Sequence, residues 1–262
     1  MIRAICCVPV SPLRAEPSHR TEMVSQLIFG ECCEILESAK DWAHIRGSYD
    51  GYEGWCQSTH LVEIDEADVE KSGNALTPEW VTNLEYNGHP MMVPLGSSLT
   101  AMKNGRAHWR KNQVHYKGKT WDPATAPTDA KSIRQLTFKF LNTPYLWGGK
   151  TVFGIDCSGF VQTIYRLLGI PLLRDASQQA TQGESVGFLE ETKTGDLAFF
   201  DNEEGKITHV GILLNANEII HSSGKVRIDK IDNMGIVRSD DFQRTHHLRV
   251  IKRLLPPPVS DK

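Results

Sequence analysis

The hydrophobic period of this chain changes once, across the Pro- and Ala-rich stretch PATAPTDA at residues 123–130. On the N-terminal side apolar residues come in short runs separated by turn residues: AICCVPV, MVSQLIFGECCEIL, WAHIRG and YEGWCQSTHLVEI. Trp42, His44 and Arg46 alternate with Ala43 and Ile45, the period of two expected of a half-buried strand. Short strands at this spacing predict a small all-β barrel over residues 1–65. DEADVEKSGN, residues 65–74, carries charge without periodicity and reads as a linker. Residues 75–122 give a second set of short β-like runs, MMVPLGSSL and AHWRKNQVHYKGKTWD, and predict a second, degenerate barrel. The boundary of the third domain falls near Thr125.

Beyond that junction helical spacing takes over. DAKSIRQLTFKFLN reads as an amphipathic helix ending before TPYLWGG. In GIDCSGFVQTIYRLLGIP, Phe160, Val161, Ile164, Tyr165, Leu167 and Leu168 mark one face of a 3.6-residue period. Gly169 suits the position just past the helix end, and Pro171 follows as a stop. RDASQQATQGESV reads as loop plus short helix, and GDLAFFD, ITHVGILLN, EIIHSSG and LRVIKRLL read as strands. Helices first and antiparallel strands afterwards predict an α+β domain over residues 128–255, with residues 256–262 as a tail.

Composition excludes several functions. The 262 residues are 40% hydrophobic and 23% charged with a formal net charge of −3, and no basic run is dense enough to expect nucleic acid. No apolar window approaches membrane-spanning length, so no membrane association is expected. No signal-like apolar stretch precedes Ser11 and Pro12, which makes a cytoplasmic location the default expectation. Of the six cysteines, Cys6, Cys7, Cys32, Cys33 and Cys56 lie in the first quarter, in or beside strand-like runs, and none has C-x-x-C spacing. They read as reduced core residues, and no metal or cofactor is expected.

Cys157 stands apart, at the start of a helix. Unpaired N–H groups and the positive end of the helix dipole face that position, and both favour a thiolate. A cysteine nucleophile also needs a base, and histidine titrates in the right range. Among the ten histidines, His209 and His221 lie on neighbouring strand-like segments joined by NANE. A hairpin there would bring them side by side, so that one can contact the sulfur while the other fixes the first ring's tautomer.

The sequence of motifs PYLWGG, GIDCSGF, GDLAFF, THVGI and IIHSSG resembles the NlpC-type cell-wall peptidases over residues 130–253. That resemblance implies a papain-like cysteine peptidase domain with Cys157 as nucleophile, His209 as base and His221 as third member. LRAEPS, SQLIFGE and GYEGW together resemble bacterial SH3-like domains. The combination is similar to γ-D-glutamyl-L-diamino acid endopeptidases, which implies hydrolysis of murein peptides, L-Ala-γ-D-Glu-diamino acid, with a free N-terminal L-Ala. In such enzymes the first barrel walls off one end of the cleft. The resemblance then implies that Tyr52 and Glu16 contact the free amine, and that Asp156, Ser158 and Ser177 contact the D-glutamyl part. Trp147 is expected to pack in the core under the cleft, and the chain to act as a monomer. An amidase or acyltransferase of the same superfamily, and a non-catalytic wall-peptide binder, remain as alternatives. The choice between diaminopimelate and lysine stays open.

Overall fold

The computed structural model describes residues 2–65 and 74–255. Most of the expected linker and all of the tail lie outside the described residues. The chain packs into two compact units. One runs up to Ala126 and takes in Trp147–Val152; the other comprises Pro127–Leu146 and the chain from Phe153 onward.

In the first unit, β1 (Ile2–Cys6), β2 (Val10–Arg14), β3 (Met23–Ile28), β4 (Cys32–Ala39), β5 (Trp42–Gly47), β6 (Glu53–Gln57) and β7 (Leu61–Glu63) form one antiparallel sheet in the order β3-β2-β6-β5-β4-β1-β7. The alternation read from WAHIRG is realised, with Ala43 and Ile45 buried beside Leu13, Leu27, Cys33 and Cys56. All six cysteines are unbridged thiols, and among the first five only Cys32 is less than fully buried. Burial pushes the Cys56 thiol up to about 11, which suits inert core residues.

β8 (Val81–Tyr86), β9 (His89–Pro94), β10 (Arg106–Trp109) and β11 (Asn112–His115) form a four-stranded sheet ordered β10-β11-β8-β9. Its core is not its own. Trp109, Val93, Val114 and Leu84 pack in one cluster with Ile5 of the first sheet and with Phe29 and Ile64, which follow its strands β3 and β7. The Trp109 and Phe29 rings lie 5.1 Å apart. The second set of strands is thus part of one hydrophobic body with the first.

The same unit includes β12 (Lys150–Thr151). Lys150 enters it through its N–H, which donates to Gln26 Oε1 at 2.8 Å, and through its ammonium, 3.3 Å from the buried Glu31 carboxylate. Trp147 differs from expectation. It is 59% exposed, and its indole N–H donates to Glu22 Oε1 at 2.6 Å. An indole with its polar edge satisfied at the surface has no need of a core site.

The second unit holds β13 (Gly154–Ile155), then α1 (Ala130–Phe138), α2 (Cys157–Leu167) and α3 (Ala176–Gln179), and finally β14 (Glu184–Val186), β15 (Leu197–Asp201), β16 (Ile207–Asn215), β17 (Glu218–Ser223), β18 (Lys225–Asp232), β19 (Gly235–Val237) and β20 (Arg244–Arg253). The long helices do precede the main sheet, but strands dominate the unit more than the α+β expectation allowed. β18 and β19 had no counterpart in the sequence reading. β19 pairs with both β18 and β20, which closes β20-β15-β16-β17-β18-β19 into a ring with β14 on its flank.

α2 is buried nearly all round, from Cys157 to Tyr165. Asp156 caps it, Leu168 ends it, and Gly169 follows at φ 75°, the left-handed position where glycine carries no Cβ penalty. Gln162 tolerates burial because its Nε2 donates to the Leu172 carbonyl at 3.1 Å.

The first glycine of the YLWGG motif has a steric explanation. Gly148 sits at φ 74°, and a Cβ there would lie 2.4 Å from the Met23 carbonyl oxygen. A left-handed alanine and a backbone overlap together should cost at least about 2 kcal/mol. Gly148→Ala is therefore expected to lower Tm by about 4–8 °C, measured by thermal melting, and an unchanged Tm would show that the segment re-forms elsewhere.

Candidate active site

Cys157 is the first residue of α2, 7% exposed. The neighbouring Asp156 fixes this helix start. Its Oδ1 accepts the Gly159 N–H at 2.6 Å, as an N-cap does. Its two oxygens also hold Arg174: Nη2 donates to Oδ2 at 2.6 Å and Nη1 to Oδ1 at 3.1 Å. Arg174 Nη1 further donates to Ser158 Oγ at 2.9 Å. The guanidinium is 1% exposed, so the residues flanking the thiol are tied into one buried, charge-balanced network.

β16 and β17 form the expected hairpin, with Gly211 opposite His221. His209, two residues from Gly211, therefore lies diagonal to His221 on the same face of the sheet. Its Nε2 is 2.8 Å from His221 Nδ1. The glycine of THVGI permits this, because a Cβ on Gly211 would come 2.8 Å from His221 Cβ. The main-chain N–H of Val210, next to His209, reaches the Cys157 sulfur, which brings the thiol to the histidine-bearing strand.

Four further side chains belong to this cluster. His221 Nε2 lies 3.0 Å from Asp229 Oδ2. Arg227 grips the same carboxylate with two bonds, Nε to Oδ2 at 2.7 Å and Nη2 to Oδ1 at 2.9 Å, and the Ser239 N–H adds a third at 2.8 Å. His246, from β20, stacks on His209 with centroids 4.1 Å apart and planes at 28°. Tyr145 is near enough for charge on Cys157 and Asp156 to act on its hydroxyl. None of these was picked out from sequence. Asp229 sits on the unrecognised β18, His246 precedes the run read as strand, and PYLWGG drew attention to Trp147 instead.

The electrostatics depart from the expected thiolate. Burial pushes the Cys157 thiol up to about 12, the Asp156 carboxylate adds to this, and the N–H groups of Val210 and Ser158 together with Arg174 only partly offset it. Burial likewise holds His209 well below the ordinary histidine value, with His221 and His246 as further contributors. His246 is lowered to about 4, chiefly by burial. These shifts all act in the direction of a thiol and neutral imidazoles in the resting site. Asp229 is the ionised member: burial opposes its charge, but hydrogen bonds from His221, Arg227 and Ser239 outweigh that and hold it below the ordinary carboxylate range.

The expected substrate contacts are distributed over both units. Asp156 and Ser158 are buried beside Cys157, and Ser177 is exposed on α3. Tyr52 and Glu16 belong to the first unit. Tyr52 is half-buried before β6 and its N–H donates to Asp50 Oδ1 at 3.0 Å; Glu16 is exposed in the β2–β3 loop. Among the described residues no group of three or more His, Cys, Asp or Glu side chains is arranged to hold a metal ion, and no helix is long and apolar enough to cross a membrane.

A helix-borne thiol beside a strand-borne histidine pair defines a cysteine peptidase. Residues 142–241 match the NlpC/P60 family, and residues 13–61 match the bacterial dipeptidyl-peptidase Sh3 domain. The chain is 46% identical over 212 residues to a gamma-D-glutamyl-L-lysine dipeptidyl-peptidase of Bacillus subtilis (strain 168), covering 76% of this chain and 71% of that protein. A Bacillus cereus protein of the same name is 28% identical over 232 residues, covering 78% and 68%. A crystal structure of a Bacillus cereus NlpC/P60 family protein has the same fold, with a TM-score of 0.80 at 20% identity over 97% of this chain and 100% of that one. The chain belongs to the NlpC/P60 family of cysteine peptidases and carries an N-terminal SH3 domain.

Two measurements check the resting protonation state. The 240 nm thiolate absorbance of the wild type minus that of Cys157→Ala should show no titration step between pH 5 and about 8; a step in that window would establish a preformed ion pair. If activity needs a neutral His209, its lowered value puts the acid limb of kcat/KM below the ordinary histidine value of about 6.5.

Proposed function

We propose that this protein is a γ-D-glutamyl endopeptidase of the dipeptidyl-peptidase type, hydrolysing the bond between γ-D-Glu and the diamino acid in murein peptides with a free N-terminal L-Ala. The observation that carries the reading is the buried histidine pair across β16 and β17, with the Val210 N–H of β16 meeting the Cys157 sulfur. The bond class is supported by the name of the relative that shares 46% identity over most of this chain. A dipeptidyl-peptidase releases a dipeptide from a free N-terminus, which fits a substrate beginning with L-Ala-γ-D-Glu.

In this mechanism Cys157 Sγ attacks the γ-carbonyl carbon as its proton passes to His209. The carbonyl electron pair moves onto oxygen. N–H groups at the start of α2, including that of Cys157, can stabilise that oxyanion, and the uncharged Tyr145 hydroxyl can donate to it. His209 then gives its proton to the departing amine of the diamino acid. Water, deprotonated by His209, hydrolyses the thioester and restores the thiol. Asp156, Ser158 and Ser177 are proposed to bind the D-glutamyl part, and Tyr52 with Glu16 the N-terminal amine. The papain-like description of the domain belongs to this same reading.

The test uses the tripeptide L-Ala-γ-D-Glu-L-Lys, its diaminopimelate counterpart and their N-acetyl forms, with products identified by mass spectrometry. L-Ala-D-Glu should appear from the unblocked peptides. Cys157→Ala should lower the rate by at least about 10⁴-fold with the fold intact, since a nucleophile has no substitute; a variant with a tenth of the wild-type rate would overturn the assignment. N-acetylation should reduce kcat/KM at least about tenfold, the size of one lost charge-assisted hydrogen bond. Equal rates on free and acetylated peptides would remove the free-amine requirement.

A further inference from the structure

From the proton inventory of the buried cluster we infer that Asp229 is a positioning residue that sets the tautomers of both histidines and so makes His209 Nδ1 the base. The inference rests on the proposed roles of Cys157 and His209. An ionised carboxylate only accepts hydrogen bonds, and Asp229 is 3.0 Å from His221 Nε2, so that nitrogen must carry a proton. In a neutral ring the other nitrogen, Nδ1, is then an acceptor. Nδ1 of His221 is 2.8 Å from Nε2 of His209, so His209 must donate from Nε2. A neutral His209 protonated at Nε2 is bare at Nδ1, the nitrogen left to take the thiol proton. One fixed negative charge, two residues removed, thus decides which nitrogen of the base is basic.

The carboxylate is held to this role from outside. Arg227 supplies two hydrogen bonds and the Ser239 N–H another, and Arg227 is anchored in turn by Asp240 at 2.8 Å. These donors cannot become acceptors. The charged and titratable groups acting on the two rings are each other, His246 on β20, and Asp229 and Arg227 on β18, while the Val210 N–H brings the Cys157 sulfur to the His209 strand. When His209 accepts the thiol proton at Nδ1 it keeps its Nε2 proton, and the resulting imidazolium still donates to His221. No proton needs to leave His221 or reach Asp229.

An Asp229→Asn substitution separates this role from simple packing. The amide must place its NH₂ where one oxygen now sits. At the Oδ1 position that NH₂ would face the Ser239 N–H and Arg227 Nη2, both obligate donors. At the Oδ2 position it faces Arg227 Nε and His221 Nε2, and only the histidine can turn acceptor, by moving its proton to Nδ1. His221 Nδ1 would then donate to His209 Nε2, and the proton of His209 would shift to Nδ1 and block the base. A wrong tautomer of this kind is far more damaging than its size suggests. Asp229→Ala imposes no tautomer and leaves room for water, so its effect on chemistry should be smaller.

The tautomers can be read first in the wild type, by long-range ¹H–¹⁵N NMR of histidine-labelled protein at pH 7 to 8. Both His209 and His221 should be the Nε2–H form, and His209 in the Nδ1–H form would overturn the inference without any variant. With L-Ala-γ-D-Glu-L-Lys as substrate, Asp229→Asn should lower kcat by about 100-fold or more with KM within about threefold, and should show His221 as Nδ1–H. Asp229→Ala should retain more activity than Asp229→Asn even if the loss of two Arg227 hydrogen bonds lowers its Tm. The opposite order, with activity following Tm, would mark Asp229 as structural only. Cys157→Ala run alongside keeps the two readings apart. Turnover by that variant would defeat the triad itself, whereas an inactive Cys157→Ala beside a fully active Asp229→Asn would defeat only the role of Asp229.

Discussion

The catalytic unit depends on one buried carboxylate, that of Asp156. It caps the helix that presents the thiol and binds a guanidinium that solvent does not reach. An N-cap contributes about 1 kcal/mol, while breaking a buried ion pair by removing one partner costs about 3–5 kcal/mol. The pair is therefore kept whole, and the helix start, the Ser158 hydroxyl and the Arg174 loop are fixed with it. The same carboxylate lies next to Cys157 and opposes its ionisation. Position has been favoured over charge at this thiol.

That choice shapes the chemistry. A thiolate and an imidazolium in a buried site would each have to be paid for in desolvation before any substrate arrived. Here burial favours both partners uncharged; in the proposed mechanism charge separates only as the carbonyl is attacked, when the oxyanion and the imidazolium form together. His246, itself lowered to about 4, stacks on His209 and, with burial and His221, disfavours protonation of that ring. The rate then rests on how well the atoms are placed beforehand, which is what a capped helix and a registered hairpin supply.

Much of this arrangement was legible in the sequence because it is local. The helix from Cys157, its Gly169 stop and the hairpin carrying His209 and His221 follow from period, turn chemistry and spacing within about 70 residues of chain. What stayed hidden either breaks the local pattern or depends on pairing between distant segments. KVRIDKID places Arg227 and Asp229 among its inward positions, so its alternation of apolar and polar residues is broken by the very charges that serve the site. Arg174 and His246 carry no period at all; only the folded chain places one at the helix cap and the other over the base. The second set of strands was read as a separate barrel because local runs say nothing about a shared core, which Trp109 and Phe29 show to be continuous.

The closed ring of strands has a consequence for how the protein breathes. β16 and β17 have hydrogen-bonded neighbours on both sides, and β19 seals the ring against β20. Neither histidine therefore lies on an edge where amides can fray one at a time. Opening either strand means breaking two ladders at once, so motions that expose these amides approach the cost of unfolding the whole unit. Hydrogen exchange along β16 and β17 should then be among the slowest in the molecule, and thermal fluctuation around the substrate is left to the helix-flanking loops rather than to the base and its support.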